Sequence, residues 1–196
     1  MNYVNNNNRL AIQEAFMSGK IKAICGYPGI GKTYLTNQDS RFVDGWLSEH
    51  LYIDKAKGIR NPDFPSNYIR TVSDIIKQGK IVVTAMSEEA RDVFNMLDMP
   101  FVVIYPNASE KDRYFNIYDT RPDVREWISL NKRAWDDKIK RIQEMRVPIG
   151  CYKDEIPRGM NLTEYLTQLG VLSLVKVPEY AYIETTQSYQ EQIIQL

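Results

Sequence analysis

Apolar residues along this chain fall into two kinds of pattern. Ile81-Val-Val-Thr84 and Phe101-Val-Val-Ile-Tyr105 are compact β-branched runs entered from Gly79 and Pro100. Such runs predict strands buried on both faces of a parallel sheet. Lys20-Ile-Lys-Ala-Ile-Cys25 reads as another short buried strand, and Arg41-Phe-Val-Asp44 as a short strand ending in an acid. Between these runs the spacing becomes helical. Leu10, Ile12, Ala15 and Phe16 predict a first helix ending near Ser18-Gly19, and further helices are expected from Lys32, over 67–78, over 88–97 and over 162–169. Ile59-Arg-Asn-Pro-Asp-Phe-Pro-Ser66 reads as a proline-punctuated loop. Alternation of strands and helices predicts a mostly parallel sheet of about five strands, covered by helices as a three-layer α/β sandwich.

Towards the C-terminus the pattern thins. From Ser109 to Met145 the chain is highly charged, with Ile128, Trp135, Ile139 and Ile142 on one helical stripe and an interruption near Thr120-Arg-Pro122; two helices with a bend are expected. Pro148-Ile-Gly-Cys-Tyr152 is the candidate fifth strand, and Leu174-Val-Lys-Val177 gives a weak strand-like signal. No repeat or interior linker interrupts 1–196, so one domain is expected, with a lid at about 107–126 and an extension from about 173.

Composition narrows the function classes. Lysine plus arginine number 25 against 25 for aspartate plus glutamate, so no whole-molecule field favours nucleic acid or anionic membrane. Cys25 and Cys151 are far apart and form no CxxC pair, which argues against structural zinc or a redox motif. No membrane-length apolar run and no signal-peptide core occur; the expected location is the cytoplasm. The oligomeric state stays open, a homodimer through the tail from Ser173 being one arrangement.

The chemistry lies in Gly26-Tyr-Pro-Gly-Ile-Gly31-Lys32-Thr33, directly after the Cys25 strand and before a helix. Glycines let successive amides turn inward on a phosphate, and the following helix offers its positive end. In this P-loop pattern the lysine reaches the β- and γ-phosphates and the next hydroxyl binds Mg²⁺. ATP and Mg²⁺ are therefore the expected cofactors. Gly26, Pro28, Gly29, Ile30, Gly31, Lys32, Thr33 and Tyr34 form the nucleotide site, with Thr33 on the metal.

The loop alone does not separate kinases from GTPases or motors. No Asn-Lys-x-Asp element follows, and Ile81 to Thr84 runs into Ala-Met-Ser87 rather than an acid. Asp44, at the end of a strand, is the candidate base or orienting group for an acceptor hydroxyl; a turn aspartate is the alternative. Asp39 is a weaker competitor, and His50 reads as a packing residue. Lys111, Arg113, Arg121 and Arg125 follow the fourth strand, where arginine would neutralise charge on a transferred phosphoryl group. Arg60 and Arg70 are candidates to hold an acceptor phosphate, and Phe64 or Tyr68 to stack on a base.

On these residues the chain resembles the nucleoside monophosphate kinase-like branch of P-loop proteins, over about residues 20 to 145. The spacing from Lys32-Thr33 to Asp44, then from Tyr105-Pro106 to Ser109-Glu-Lys-Asp-Arg113 and Asp119-Thr-Arg121, is similar to that of phage polynucleotide kinase. The resemblance implies that Asp44 is the base and Arg121, with Arg113 second, the lid arginine. It also implies a phage or prophage origin, host cytoplasm, and a nucleotide-type acceptor or a 5′-hydroxyl or modified base in DNA or RNA. No phosphatase domain and no acid at the third strand's end accompany it, and a nucleotide-binding accessory protein without catalysis is the competing expectation.

Overall fold

A computed structural model describes residues 3–121 and 125–172. In chain order the elements are α1 (Tyr3–Met17), β1 (Ala23–Gly26), α2 (Lys32–Gln38), β2 (Phe42–Asp44), α3 (Leu47–Leu51), β3 (Tyr52–Asp54), β4 (Ile59–Arg60), α4 (Ser66–Lys77), β5 (Ile81–Ala85), α5 (Glu88–Met96), β6 (Phe101–Pro106), α6 (Lys111–Asp119), α7 (Arg125–Arg133), α8 (Trp135–Glu144), β7 (Tyr152–Ile156) and α9 (Leu162–Gln168). A 3₁₀ turn, Ala108–Glu110, leads into α6.

Five strands form one sheet in the order β2-β5-β1-β6-β7, and every pairing in it is parallel. β1 and β6 are buried at every position, which is why they read as unbroken apolar runs. The right-handed crossover rule puts α2 on one face and α4 and α5 on the other, giving an α/β arrangement of helices around a parallel sheet. From β1 the chain leaves towards the β2 edge, and from β6 towards the β7 edge. The carboxyl ends of β1 and β6 therefore flank the point where the winding reverses, the usual place for a ligand crevice in an open parallel sheet.

Three expectations change. The fifth strand is Tyr152–Ile156 rather than 148–152: Cys151 N closes a turn on the Pro148 carbonyl at 3.0 Å, Gly150 has φ +81°, and Ile149 is fully exposed. The real strand is polar in sequence. Its centre, Asp154, is buried because Arg9 Nε at 2.9 Å and the Tyr165 hydroxyl donate to it, so a charge sits where an apolar residue was expected. Second, the stripe Ile128, Trp135, Ile139 and Ile142 spans two helices that break at Ala134, making three helices between residues 111 and 144. Third, the expected loop over 59–66 begins as a strand: Ile59–Arg60 is β4, paired antiparallel with β3 in a hairpin that follows α3. The weak strand signal at Leu174–Val177 lies outside the described residues.

Candidate functional site

The glycine-rich loop leaves β1 at the centre of the sheet. Gly29 and Gly31 have φ +79° and +100°, values that L side chains rarely adopt. At Gly29 a Cβ would also lie 3.1 Å from Tyr118 and 3.3 Å from Tyr114. Gly31 is the N-cap of α2 and makes no side-chain cap bond, leaving the first amides of that helix for an external acceptor. The Lys32 stem folds back over the loop, and its Nζ donates to the carbonyls of Gly26 (2.9 Å) and Tyr27 (3.0 Å). Desolvation by burial, then the nearby positive charge of Arg121, brings the Lys32 ammonium down to about 8, opposed by the carboxylate of Asp44. Lys32, Arg121 and Asp44 thus lie within electrostatic reach of one another, although 77 residues separate Asp44 from Arg121 in sequence.

Aromatic packing holds this loop from beneath. Tyr27 meets Trp135 edge-on, with ring centroids 5.4 Å apart, and Tyr114 at 6.1 Å; Tyr114 packs on Trp135 at 5.2 Å. Each such pair contributes about 0.5–1.5 kcal/mol beyond area burial. The Tyr118 hydroxyl donates to the Pro28 carbonyl at 3.2 Å, and Leu162 N at the start of α9 donates to the Ile30 carbonyl at 2.8 Å. Burial pushes the Tyr27 hydroxyl up to about 12 and raises Tyr118 as well, so both hydroxyls are neutral near pH 7. The expected lid therefore begins inside the core: Tyr114 and Tyr118 of α6 are almost fully buried. Its stretch 122–124 lies outside the described residues.

The predicted site residues divide sharply. Thr33 is exposed at the start of α2, Ile30 is fully buried, and Tyr34 is half-buried on the same helix. Asp44 closes β2, in register with Val83 of the adjacent strand. Its Oδ1 accepts from Trp46 N at 2.8 Å, which leaves the other oxygen for a further partner. Arg121 stacks on Trp127 at 5.0 Å beside Lys32. Arg113 does something else: Nη1 donates to Glu110 Oε2 (3.0 Å) and to the Met160 carbonyl (3.1 Å), so it clamps the loop after β7 to α6. Lys111 pairs with Asp136 at 2.6 Å. Asp39 is taken by Arg41, whose guanidinium donates to both carboxylate oxygens, and does not compete with Asp44.

On the acceptor side Tyr68 corrects the expectation. It is fully buried, and its hydroxyl donates to Thr84 Oγ1 at 3.2 Å, so its ring offers no face to a base. Phe64 is half-buried and stacks on Tyr68 at 6.3 Å between centroids; His50 packs on the same ring at 5.5 Å. Arg60 lies over Tyr52 and reaches Glu89 Oε1 at 3.3 Å. Arg70 is exposed on α4, and among the described residues no hydrogen bond or ion pair ties it to the loop. Arg91 was missed. Its charge acts on the Cys25 thiol, which burial pushes up to about 12, so Arg91 approaches the end of β1 from the first turns of α5. Only the turn from β5 into α5, hidden in Ala85-Met-Ser87, pointed there.

Among the described residues no group of three or more histidine, cysteine, aspartate or glutamate side chains clusters to hold a metal. Thr84, uncharged and buried, stands where β5 passes Cys25. The groups that could hold a nucleoside triphosphate here are the loop backbone with positive φ at Gly29 and Gly31, the Lys32 ammonium over it and the exposed Thr33 hydroxyl, a donor set that suits phosphate oxygens and a Mg²⁺ that keeps most of its waters. No described helix is long and apolar enough to cross a membrane. No protein-family model matches this chain and no curated protein matches it significantly, so its function is read from these residues and their geometry.

Proposed function

We propose that this chain is a P-loop NTPase-fold phosphotransferase that moves the γ-phosphoryl group of ATP to a nucleotide or nucleoside-type acceptor in the cytoplasm. The observation that carries the reading is the Lys32 ammonium, folded back onto the Gly26 and Tyr27 carbonyls of a loop whose glycines hold positive φ. That ammonium can exchange two neutral carbonyls for a charged phosphate oxygen, and charge-assisted hydrogen bonds are about twice as strong as neutral ones. Amides of residues 29–33 supply the remaining donors.

Thr33 would hold a Mg²⁺ bound with the nucleotide, and that ion would supply charge neutralisation at the phosphates. The chain's own residues do the rest. For a hydroxyl acceptor, the acceptor oxygen forms the new bond to the γ-phosphorus while the bridging bond breaks and its electrons pass to ADP. Asp44 takes the hydroxyl proton, and Lys32 with Arg121 balances the charge on the equatorial oxygens. Support for Asp44 is its strand-end position and its electrostatic coupling to Lys32. Arg113 drops to a positioning role, since both its partners are protein groups.

Thr84 favours a second reading, in which the chain binds nucleotide without turnover. Transfer of labelled γ-phosphate from ATP to a panel of nucleosides, nucleoside monophosphates and 5′-hydroxyl oligonucleotides separates the two. Label on one acceptor class, abolished in Lys32→Ala, is the expected result. ATP binding that Lys32→Ala removes, with no transfer to any acceptor, moves the assignment to the binding protein.

A further inference from the structure

Trp46 stands two residues beyond Asp44, and nothing in the donor chemistry uses it. It is 50 % exposed, whereas Trp135 is fully buried. Singly exposed apolar residues are ordinary; the backbone of this one is not. Trp46 has φ 42° and ψ 43°, and Asp98 is the other non-glycine residue with positive φ among the described residues. A bulky side chain in that conformation persists only where its surroundings enforce it, and such positions cluster at functional sites.

The enforcing contacts are specific. Trp46 N donates to Asp44 Oδ1 at 2.8 Å, and the Trp46 carbonyl accepts from Glu49 N at 3.0 Å. Gly45 N donates to the Val83 carbonyl at 2.9 Å. A Cβ on Gly45 would fall 2.8 Å from the Tyr68 hydroxyl and 3.0 Å from Val82, so the turn is pressed directly onto the sheet. The same carboxylate that serves the acceptor thus fixes the indole's backbone. Of the two aromatics first expected to stack on a base, Tyr68 is in the core and Phe64 packs against it, while Arg60 covers the ring of Tyr52. Arg60 and Glu89 fasten the far end of the segment to α5.

We propose that Trp46 is a stacking platform for the base of the acceptor, so that the acceptor is a nucleoside or a terminal nucleotide residue rather than a plain sugar, alcohol or amino acid. Two residues of chain span at most about 7 Å, the scale of one nucleoside from base to sugar hydroxyl. On this proposal a base lying on the indole would leave its sugar hydroxyl within that span of Asp44. Every base has a π-face, and stacking on an aromatic side chain carries affinity without demanding one sequence. The proposal rests on the kinase reading for the role of Asp44.

Binding is measured without ATP, using free nucleosides against ribose and deoxyribose, and a short 5′-hydroxyl oligonucleotide against the same strand lacking its 5′-terminal base. Wild type, Trp46→Phe and Trp46→Asn are compared; asparagine tolerates the left-handed backbone, and a thermal melt checks the fold. Removing the base and Trp46→Asn should each weaken binding about 10-fold, with little added when combined, and Trp46→Phe should keep part of the affinity. Preference for free nucleosides or for the strand end identifies the source of the base. A base-dependence that persists undiminished in Trp46→Asn overturns the proposal, as does failure of every base-bearing probe to bind. The two readings fail separately. Trp46-dependent base binding with no phosphoryl transfer leaves the platform and removes the kinase, whereas transfer with an unchanged acceptor KM in Trp46→Asn leaves the kinase and removes the platform.

Discussion

The two halves of the site are built to different standards of rigidity. Around the glycine-rich loop, Tyr27, Tyr114, Tyr118 and Trp135 are all within a few per cent of full burial and in mutual ring contact. Between β2 and α4, by contrast, Trp46, Ile53 and Ile59 are 50 %, 67 % and 48 % exposed, and the segment is held by single polar contacts such as Arg60 to Glu89 from the hairpin and Asn67 to the His50 carbonyl of α3. Phosphate recognition is generic and gains from preorganised donors. Acceptor recognition has to fit one chemistry, and a thinly packed segment can be reshaped at little cost to the core.

The largest effect should come from removing the floor of the rigid half. Trp135→Ala is expected to destabilise the protein by about 3–5 kcal/mol and to lose nucleotide binding with it, measured by denaturant unfolding and ATP titration. A stable variant that still binds ATP would show that the loop does not depend on this packing.

Next in size, Lys32→Ala and Asp44→Asn should divide along the same line. The first is expected to lower ATP affinity and transfer together, by about 10²–10³ in rate. Asp44→Asn should lower turnover by about 10² or more with ATP affinity kept. Equal loss of ATP affinity in both variants would place Asp44 on the donor side.

Gly29→Ala forces a Cβ against Tyr118 and Tyr114 at a φ of +79°. A cost of about 1–3 kcal/mol and about 10-fold weaker ATP binding are expected, read by thermal melting and calorimetry.

A smaller signal lies in pH. Lys32 is charged in the folded protein below about 8 and neutral above it, so ATP affinity should fall as pH rises through about 8, and Lys32→Ala should lack that step. The unfolded lysine holds its proton to about 10.4. Between those values the unfolded chain binds more protons, and this group's contribution makes stability rise with pH. At the bottom of the scale, Ile53→Ser on the exposed hairpin should change stability by no more than about 0.5 kcal/mol, leaving ATP binding untouched.

Legibility in sequence followed locality. The glycine-rich loop announces itself because its conformation is set by residues within eight positions, and β1, β5 and β6 because burial on both faces demands unbroken apolar runs. β7 escaped because the cation that pairs with Asp154 is 145 positions away at Arg9 and its second donor, Tyr165, lies on a later helix, and its polar sequence resembles a loop until those partners are known. Tyr68 misled for the converse reason: a tyrosine beginning a helix after a proline-rich loop looks available, yet Thr84 on a neighbouring strand takes its hydroxyl. Arg113 and Arg121 could not be told apart by spacing, since both sit in a charged helical stretch. Only packing directs one to Glu110 and Met160 and the other to Trp127 beside Lys32.

The amino-acid sequence alone determined the glycine-rich loop between strand and helix, the alternation that makes a parallel sheet, and an acid at the end of the second strand, because each depends on short-range backbone preferences and on which faces are buried. Tertiary structure alone decided that Asp44 and Arg121 come within electrostatic reach of Lys32, that its ammonium rests on the loop carbonyls, and that Trp46 rather than Tyr68 or Phe64 stays exposed beside Asp44. Those outcomes depend on sheet order and on which side chains exclude water from one another. Contacts between residues tens of positions apart leave no periodic trace in the chain.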